Sequence, residues 1–164
     1  VEFGFHGTPT SRIAQEAGVS NGTLFHYYKT KDELVVALYI YIKSNLAACM
    51  SGDRPAGETI KATFKREFIA TLYWAKENPM EFRFTQQFLS SPYLSMISID
   101  EIKKQTKHFF DLMQEAIDAR VLKPLPLDLL FTLLSSHISG ITSFNFIYGY
   151  NSINCWNSIS MTLF

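Results

Sequence analysis

The run Asn21-Gly22-Thr23-Leu24-Phe25-His26-Tyr27 gathers an amide, a hydroxyl, an imidazole and two aromatic rings within two helical turns. These groups read rather than react. Amides, hydroxyls and imidazoles exchange hydrogen bonds with base edges in a major groove, and a Phe ring or a Thr methyl meets a thymine methyl. An ordinary amphipathic helix would offer Lys and Glu to water at such positions. Reactive arrangements are not evident. His6, His26, His108 and His137 are scattered, with no HxxxH and no His–carboxylate pair at ligand spacing, so no metal site is expected. Cys49 and Cys155 form no CxxC or Cys/His cluster, which points away from zinc and disulfides and toward a reducing, cytoplasmic compartment. With no GxSxG, P-loop or dinucleotide fingerprint and no acid/base carboxylate pair, neither an enzyme nor a cofactor is expected.

The elements that would position the reading residues are two short helices and a tight turn. Thr8-Pro9 suits a helix start, with Thr10 as the other candidate cap. Ile13, Ala14 and Ala17 supply an inner face, and Gly18 supplies the left-handed stop. Ser20 is the N-cap of the second helix. Small Ala14 and Ala17 allow close crossing, while Val19 and Leu24 are expected to plug the angle between the helices. This is a helix-turn-helix. Thr30-Lys31-Asp32-Glu33 is a capping box that launches a longer helix with Leu34, Leu38, Ile42, Leu46 and Cys49 on one stripe.

Residues 4–34, GFHGTPTSRIAQEAGVSNGTLFHYYKTKDEL, resemble the DNA-binding segment of the TetR (tetracycline repressor) family through GF-x-G-T, I-A-x-x-A-G-V-S and G-T-L-F-x-Y-[FY]-K-x-K-x-E-L. The rest resembles the family loosely, in its helix count, in PMEFRFTQQFLSSPY and in a Pro-rich break before a long apolar helix. The resemblance implies a further helix ahead of Gly4, of which this sequence holds only Val1-Glu2-Phe3, as expected of a truncated start. It implies phosphate contacts from Thr10 and Ser11, and base or methyl contacts from Thr23, Phe25 and His26. Ser20, Asn21 and Gly22 stand at the edge of that surface, and Tyr27 and Lys31 are backbone clamps. It also implies a repressor that binds a palindromic operator in double-stranded DNA as a homodimer and is released by a small effector.

Bulk charge gives this reading no help. The net charge is zero over 164 residues, and Arg12, Lys29, Lys31 and Lys43 are balanced by Glu2, Glu16, Asp32 and Glu33 in the first fifty. The composition is globular, 47% hydrophobic and 18% charged, which supports a sizeable core. No apolar run free of polar residues marks a membrane span.

The expected class is all-α. Residues 1–50 form the helix-turn-helix domain with a linking helix, and residues 51–164 form a larger helical domain for effector binding and dimerisation, with the seam in the loop SGDRPAG. Ile60, Phe64, Phe68 and Leu72 mark one inward face; Ile102, Phe109, Met113 and Ile117 mark another. The helix of residues 127–148 is apolar nearly all round and needs neighbours on every side. It is therefore expected to form a homodimer with residues 152–164, Ser136, Gly140 and Ser143 allowing close approach and Ile153, Trp156 and Ile159 joining the surface. Fourteen Phe and eight Tyr could fill a core or line a cavity. On the family pattern, Trp74, Phe84, Phe88, Phe109, Phe110, Met113, His137 and Phe144 are the candidate lining of a pocket for an apolar or aromatic effector, with His137, His108 or Tyr73 answering one polar group. A regulator without a small ligand, switched by a protein partner, is the alternative.

Overall fold

The computed structural model describes residues 4–50 and 54–148. Their regular structure is helical throughout: α1 Gly4–Gly7, α2 Thr10–Glu16, α3 Asn21–Tyr27, α4 Lys31–Met50, α5 Ile60–Glu77, α6 Pro79–Leu89, a 3-10 turn Pro92–Met96, α7 Ile99–Asp118 and α8 Leu127–Tyr148. The expected all-α class holds. The helix expected after Asn151, with Ile153, Trp156 and Ile159, lies outside the described residues.

Local chemistry sets the boundaries. Thr59 Oγ1 accepts from Ala62 N–H at the start of α5, and Ser98 Oγ accepts from Glu101 N–H at the start of α7. Pro79 ends nothing by itself; it occupies the first turn of α6, where its missing N–H costs no bond. The close of α7 is less usual. Arg120 N–H donates to Ile117 O at 2.9 Å and Val121 N–H to Ala116 O at 2.8 Å, a Schellman pattern that places Arg120 at φ 57°. Glycine bears that conformation without a Cβ clash. Arg120→Gly is expected to stabilise the fold by about 1 kcal/mol, measured by urea denaturation, and an unchanged midpoint would refute it.

Two apolar clusters make the core. In the first, Ile60, Phe64, Phe68 and Leu72 of α5 meet Leu112, Met113 and Ala116 of α7, Leu122, and Leu130 and Leu134 of α8. The second joins Val35, Tyr39 and Ile42 of α4 to Trp74 and Ala75 of α5, Phe84 and Phe88 of α6, and Tyr93 and Ile97. The ladder expected on α5 is therefore met in full. On α4 the expected stripe is met in part: Ile42 is buried and Leu46 packs against the second cluster. Val35 and Tyr39, however, turn inward in place of Leu34 and Leu38; Leu38 is 40% exposed and Cys49 is exposed. That helix is apolar on most sides, so periodicity alone could not choose its face. On α7, Ile102 is likewise 38% exposed rather than inward.

By length and composition alone, Lys31–Met50 and Leu127–Phe144 are long and apolar enough to cross a bilayer, although each carries polar residues. In this fold both helices contribute to the core, α4 through Val35, Tyr39 and Ile42 and α8 through Leu130 and Leu134.

Candidate nucleic-acid interface

The crossing of α2 and α3 is built from the backbone upward. Gly18 N–H donates to Gln15 O at 3.0 Å, and Val19 N–H donates to Ala14 O at 2.9 Å. Gly18 takes φ 68°, the left-handed stop that the sequence required. Ser20 Oγ then accepts from Thr23 N–H at 3.0 Å and caps α3. Ala14 and Leu24 close the angle, 1% and 9% exposed, whereas Val19 is 39% exposed and Ala17 is also at the surface. The plug is Leu24 without Val19. The start of α2 also differs from expectation. The helix begins at Thr10 after an extended Pro9, and Thr8 Oγ1 donates to Gly4 O at 3.1 Å instead of capping.

With Leu24 turned inward, the rest of α3 faces out. Asn21, Gly22, Thr23, Phe25, His26 and Tyr27 are all exposed, as is the cap Ser20. His26 and Tyr27 meet edge to face with ring centres 5.4 Å apart. Thr23 Oγ1 lies 2.9 Å from Ser20 Oγ, so its hydroxyl is already engaged. Ser11 is exposed and Thr10 half-buried at the start of α2.

Lys31 is half-buried, and its ammonium donates to Thr8 O at 2.6 Å, tying the first turn of α4 to the segment before α2. Two ammonium protons remain for an anion. Glu33 N–H donates to Thr30 Oγ1, as a capping box requires, but the Glu33 carboxylate takes Lys29 N–H at 2.7 Å. Lys29 Nζ also donates to His26 O at 3.3 Å, beside the C-terminus of α3. Lys29 and Arg12 are further exposed cations on this head, to which the sequence assigned no DNA contact.

Phe5 of the GF-x-G-T motif has a packing role that the sequence did not show, against the second cluster. Its ring lies edge-on to Phe84 at 5.2 Å and to Tyr93 at 5.3 Å, while Tyr39 stacks on Phe88 at 4.0 Å. Burial first, and then the hydrogen bond that Tyr93 gives to the Asp32 carboxylate, holds the Tyr93 phenol above its ordinary pKa. The head is thus fastened to α6 and the 3-10 turn at two points.

The expected effector residues do not converge. Trp74, Phe84 and Phe88 belong to the second cluster, whereas Met113, with Phe109 and Phe110 packed against it, belongs to the first. His137 is half-buried, and its Nδ1–H donates to Leu133 O at 2.7 Å, within its own helix. Phe144 is 46% exposed and Tyr73 38%. An open cleft of about 550 Å³ is lined by Ile117, Asp118, Arg120, Val121, Leu122, Lys123 and Pro124, and contains none of the eight.

A charged core residue was missed as well. Glu67 on α5 is 2% exposed, with His108 Nε2 3.0 and 3.1 Å from its two oxygens. Desolvation pushes its carboxyl pKa up, against the opposing pull of His108. The signal was present, since position 67 falls on the helical face shared by Phe64 and Thr71.

Residues 1–38 match the family model described as bacterial regulatory proteins, tetR family. A nucleoid occlusion factor, SlmA, of Actinobacillus pleuropneumoniae is 26% identical over 110 residues, covering 67% of this chain and 52% of that protein. The chain thus spans about half the length of this curated relative. A TetR family transcription regulator from Marinobacter aquaeolei VT8 superposes with a TM-score of 0.82 at 18% identity, covering 95% of this chain and 84% of that one. The regulator FadR from Bacillus subtilis, solved with stearoyl-CoA, gives 0.74 at 20% identity, covering 98% and 89%. At these identities the structural likeness establishes the fold. These proteins are named as regulators or as an occlusion factor, not as enzymes. Residues 1–38 are thus similar to the N-terminal segment of tetR family regulatory proteins, and the helices behind them share the fold of solved TetR family regulators.

Proposed function

We propose that this chain is a cytoplasmic DNA-binding transcriptional repressor that grips a palindromic operator as a homodimer and is released by a small, largely apolar or aromatic effector. The observation that carries the reading is the outward face of α3, where Asn21, Thr23, Phe25, His26 and Tyr27 are exposed on a helix held by Leu24 and the Ser20 cap. In this proposal α3 enters the major groove, while Ser11, Thr10, Tyr27 and Lys31 hold phosphates on either side. Dimerisation is supported by α8. Leu130 and Leu134 face the core, while Leu129, Thr132, Ser136, Gly140 and Ser143 lie exposed along the other side. A Cβ at Gly140 would meet nothing within 4 Å, so a partner helix has room to approach. Release by an effector is supported by the match of residues 1–38 to the tetR family model and by the likeness in fold to FadR, solved with stearoyl-CoA.

A second reading is a DNA-binding protein without a small ligand, switched by a protein partner. It is favoured by one observation: the likeness to the nucleoid occlusion factor runs over 110 residues, far beyond the reading head. Selection of bound duplexes from random DNA, with light scattering of the free protein, tests the first reading. The expected result is a dimer and an inverted repeat whose half-site centres lie about one helical turn, roughly 34–36 Å, apart. A monomer with no enriched sequence would overturn it. Failure of every apolar compound in a broad panel to lower operator affinity would favour the partner-switched reading.

A further inference from the structure

Glu67 places a carboxylate where the surrounding core is apolar. It is 2% exposed, on the α5 face that also carries buried Phe64 and Phe68. A buried carboxylate is costly unless its acceptor sites are filled. Both Glu67 oxygens share a single donor atom, His108 Nε2, at 3.0 and 3.1 Å. About four acceptor positions belong to a carboxylate, so much of this capacity is unused among the described residues. Arg66 attracts Glu67 through its charge, but its guanidinium hydrogen bonds go to Glu58 at 3.2 Å, and Thr63 Oγ1 donates to Glu58 as well. His108 comes from α7, and its side chain is 48% exposed, so the imidazole covers Glu67 from the solvent side. Next to it stands Phe109, whose ring centre lies 6.0 Å from that of Phe64.

We infer that Glu67 anchors a subsite for an organic cation, a primary ammonium on an apolar body, and that His108 is the built-in occupant such a ligand displaces. An ammonium brings three donors to the oxygens that one imidazole N–H now serves. The rings of Phe64 and Phe109 take the apolar body, and an anionic head group is repelled. The subsite's role as an effector site rests on the ligand-relieved reading above.

The test is calorimetric titration of the full chain with octylammonium, octan-1-ol and octanoate, which share one tail and differ in charge. Octylammonium is expected to bind about ten-fold more tightly than either control. Glu67→Gln removes that preference, and His108→Ala, by deleting the competitor, tightens octylammonium several-fold. Equal binding of octanoate, a preference that survives Glu67→Gln, or weaker octylammonium binding to His108→Ala would each overturn the inference. Should Glu67→Gln not fold, the wild-type preference and the His108→Ala result decide between these outcomes. Operator release is followed in parallel: octylammonium bound through Glu67 without release overturns the ligand-relieved reading and supports the subsite.

Discussion

Phe88→Ala is expected to lower the stability of the chain by about 3–5 kcal/mol, the range for deleting a fully buried aromatic ring. Phe88 is 0% exposed and stacks on Tyr39 at 4.0 Å, with Phe84, Tyr93 and Phe5 around it. Its partners come from α1, α4, α6 and the 3-10 turn, so no single helix can shift to fill the space. Domains of this kind hold a total of about 5–15 kcal/mol, and the variant should be close to unfolding at physiological temperature. Phe88→Leu keeps much of the volume and should lose less than half as much. Urea denaturation measures both. A loss under about 1 kcal/mol for the alanine variant would show that the cluster collapses around the gap, against the packing described.

The second large effect separates reading from gripping on DNA. His26→Ala is expected to cost about 1–3 kcal/mol on the selected operator, to spare random duplex, and to relax preference at particular base pairs. Lys31→Ala should weaken operator and random DNA alike and flatten the slope of log affinity against log salt by about one unit per half-site. The structure adds a consequence to the lysine variant. Because Lys31 also holds Thr8 O at 2.6 Å, its loss should loosen the approach to α2 and reduce stability by about 1 kcal/mol. Thr23 changes too: its hydroxyl sits 2.9 Å from Ser20 Oγ, so its methyl can meet a base without disturbing that contact. Thr23→Val should therefore retain more operator affinity than Thr23→Ala. Salt titrations of each variant against operator and scrambled duplex check these roles. A Lys31→Ala protein with altered sequence preference, beside a His26→Ala protein altered only in salt slope, would reverse them.

Sequence alone placed the reading head well because its signals are local. Gly18 needs a left-handed residue, Ser20 needs a free N–H three residues on, and Thr30 meets Glu33 one turn later. Local signals failed where tertiary packing decides. Nothing in α4 distinguished Leu38 from Tyr39 as the inward residue, since both are large and the helix is apolar on most sides. The aromatic count left core and cavity open and the family pattern suggested one effector pocket, but Trp74, Phe84 and Phe88 pack under the head while Phe109, Phe110 and Met113 pack between α5, α7 and α8. Phe5 could not be placed from its neighbours, because its partners lie about eighty residues away along the chain. Glu67 was legible by its helical register and was passed over among more conspicuous aromatics.

The fastening of the head bears on how such proteins can be recombined. A chimaera joined at residue 50 would carry Phe5, Asp32 and Tyr39 away from Phe84, Phe88 and Tyr93. The graft would then bring three unmatched side chains to a foreign surface, with an orphaned phenol left behind. The smallest portable cassette is instead discontinuous in sequence, residues 4–50 together with 74–97, which keeps Trp74 and Ala75 with the rest of the second cluster. A new sensor would be compatible with this head only if it reproduced that aromatic socket.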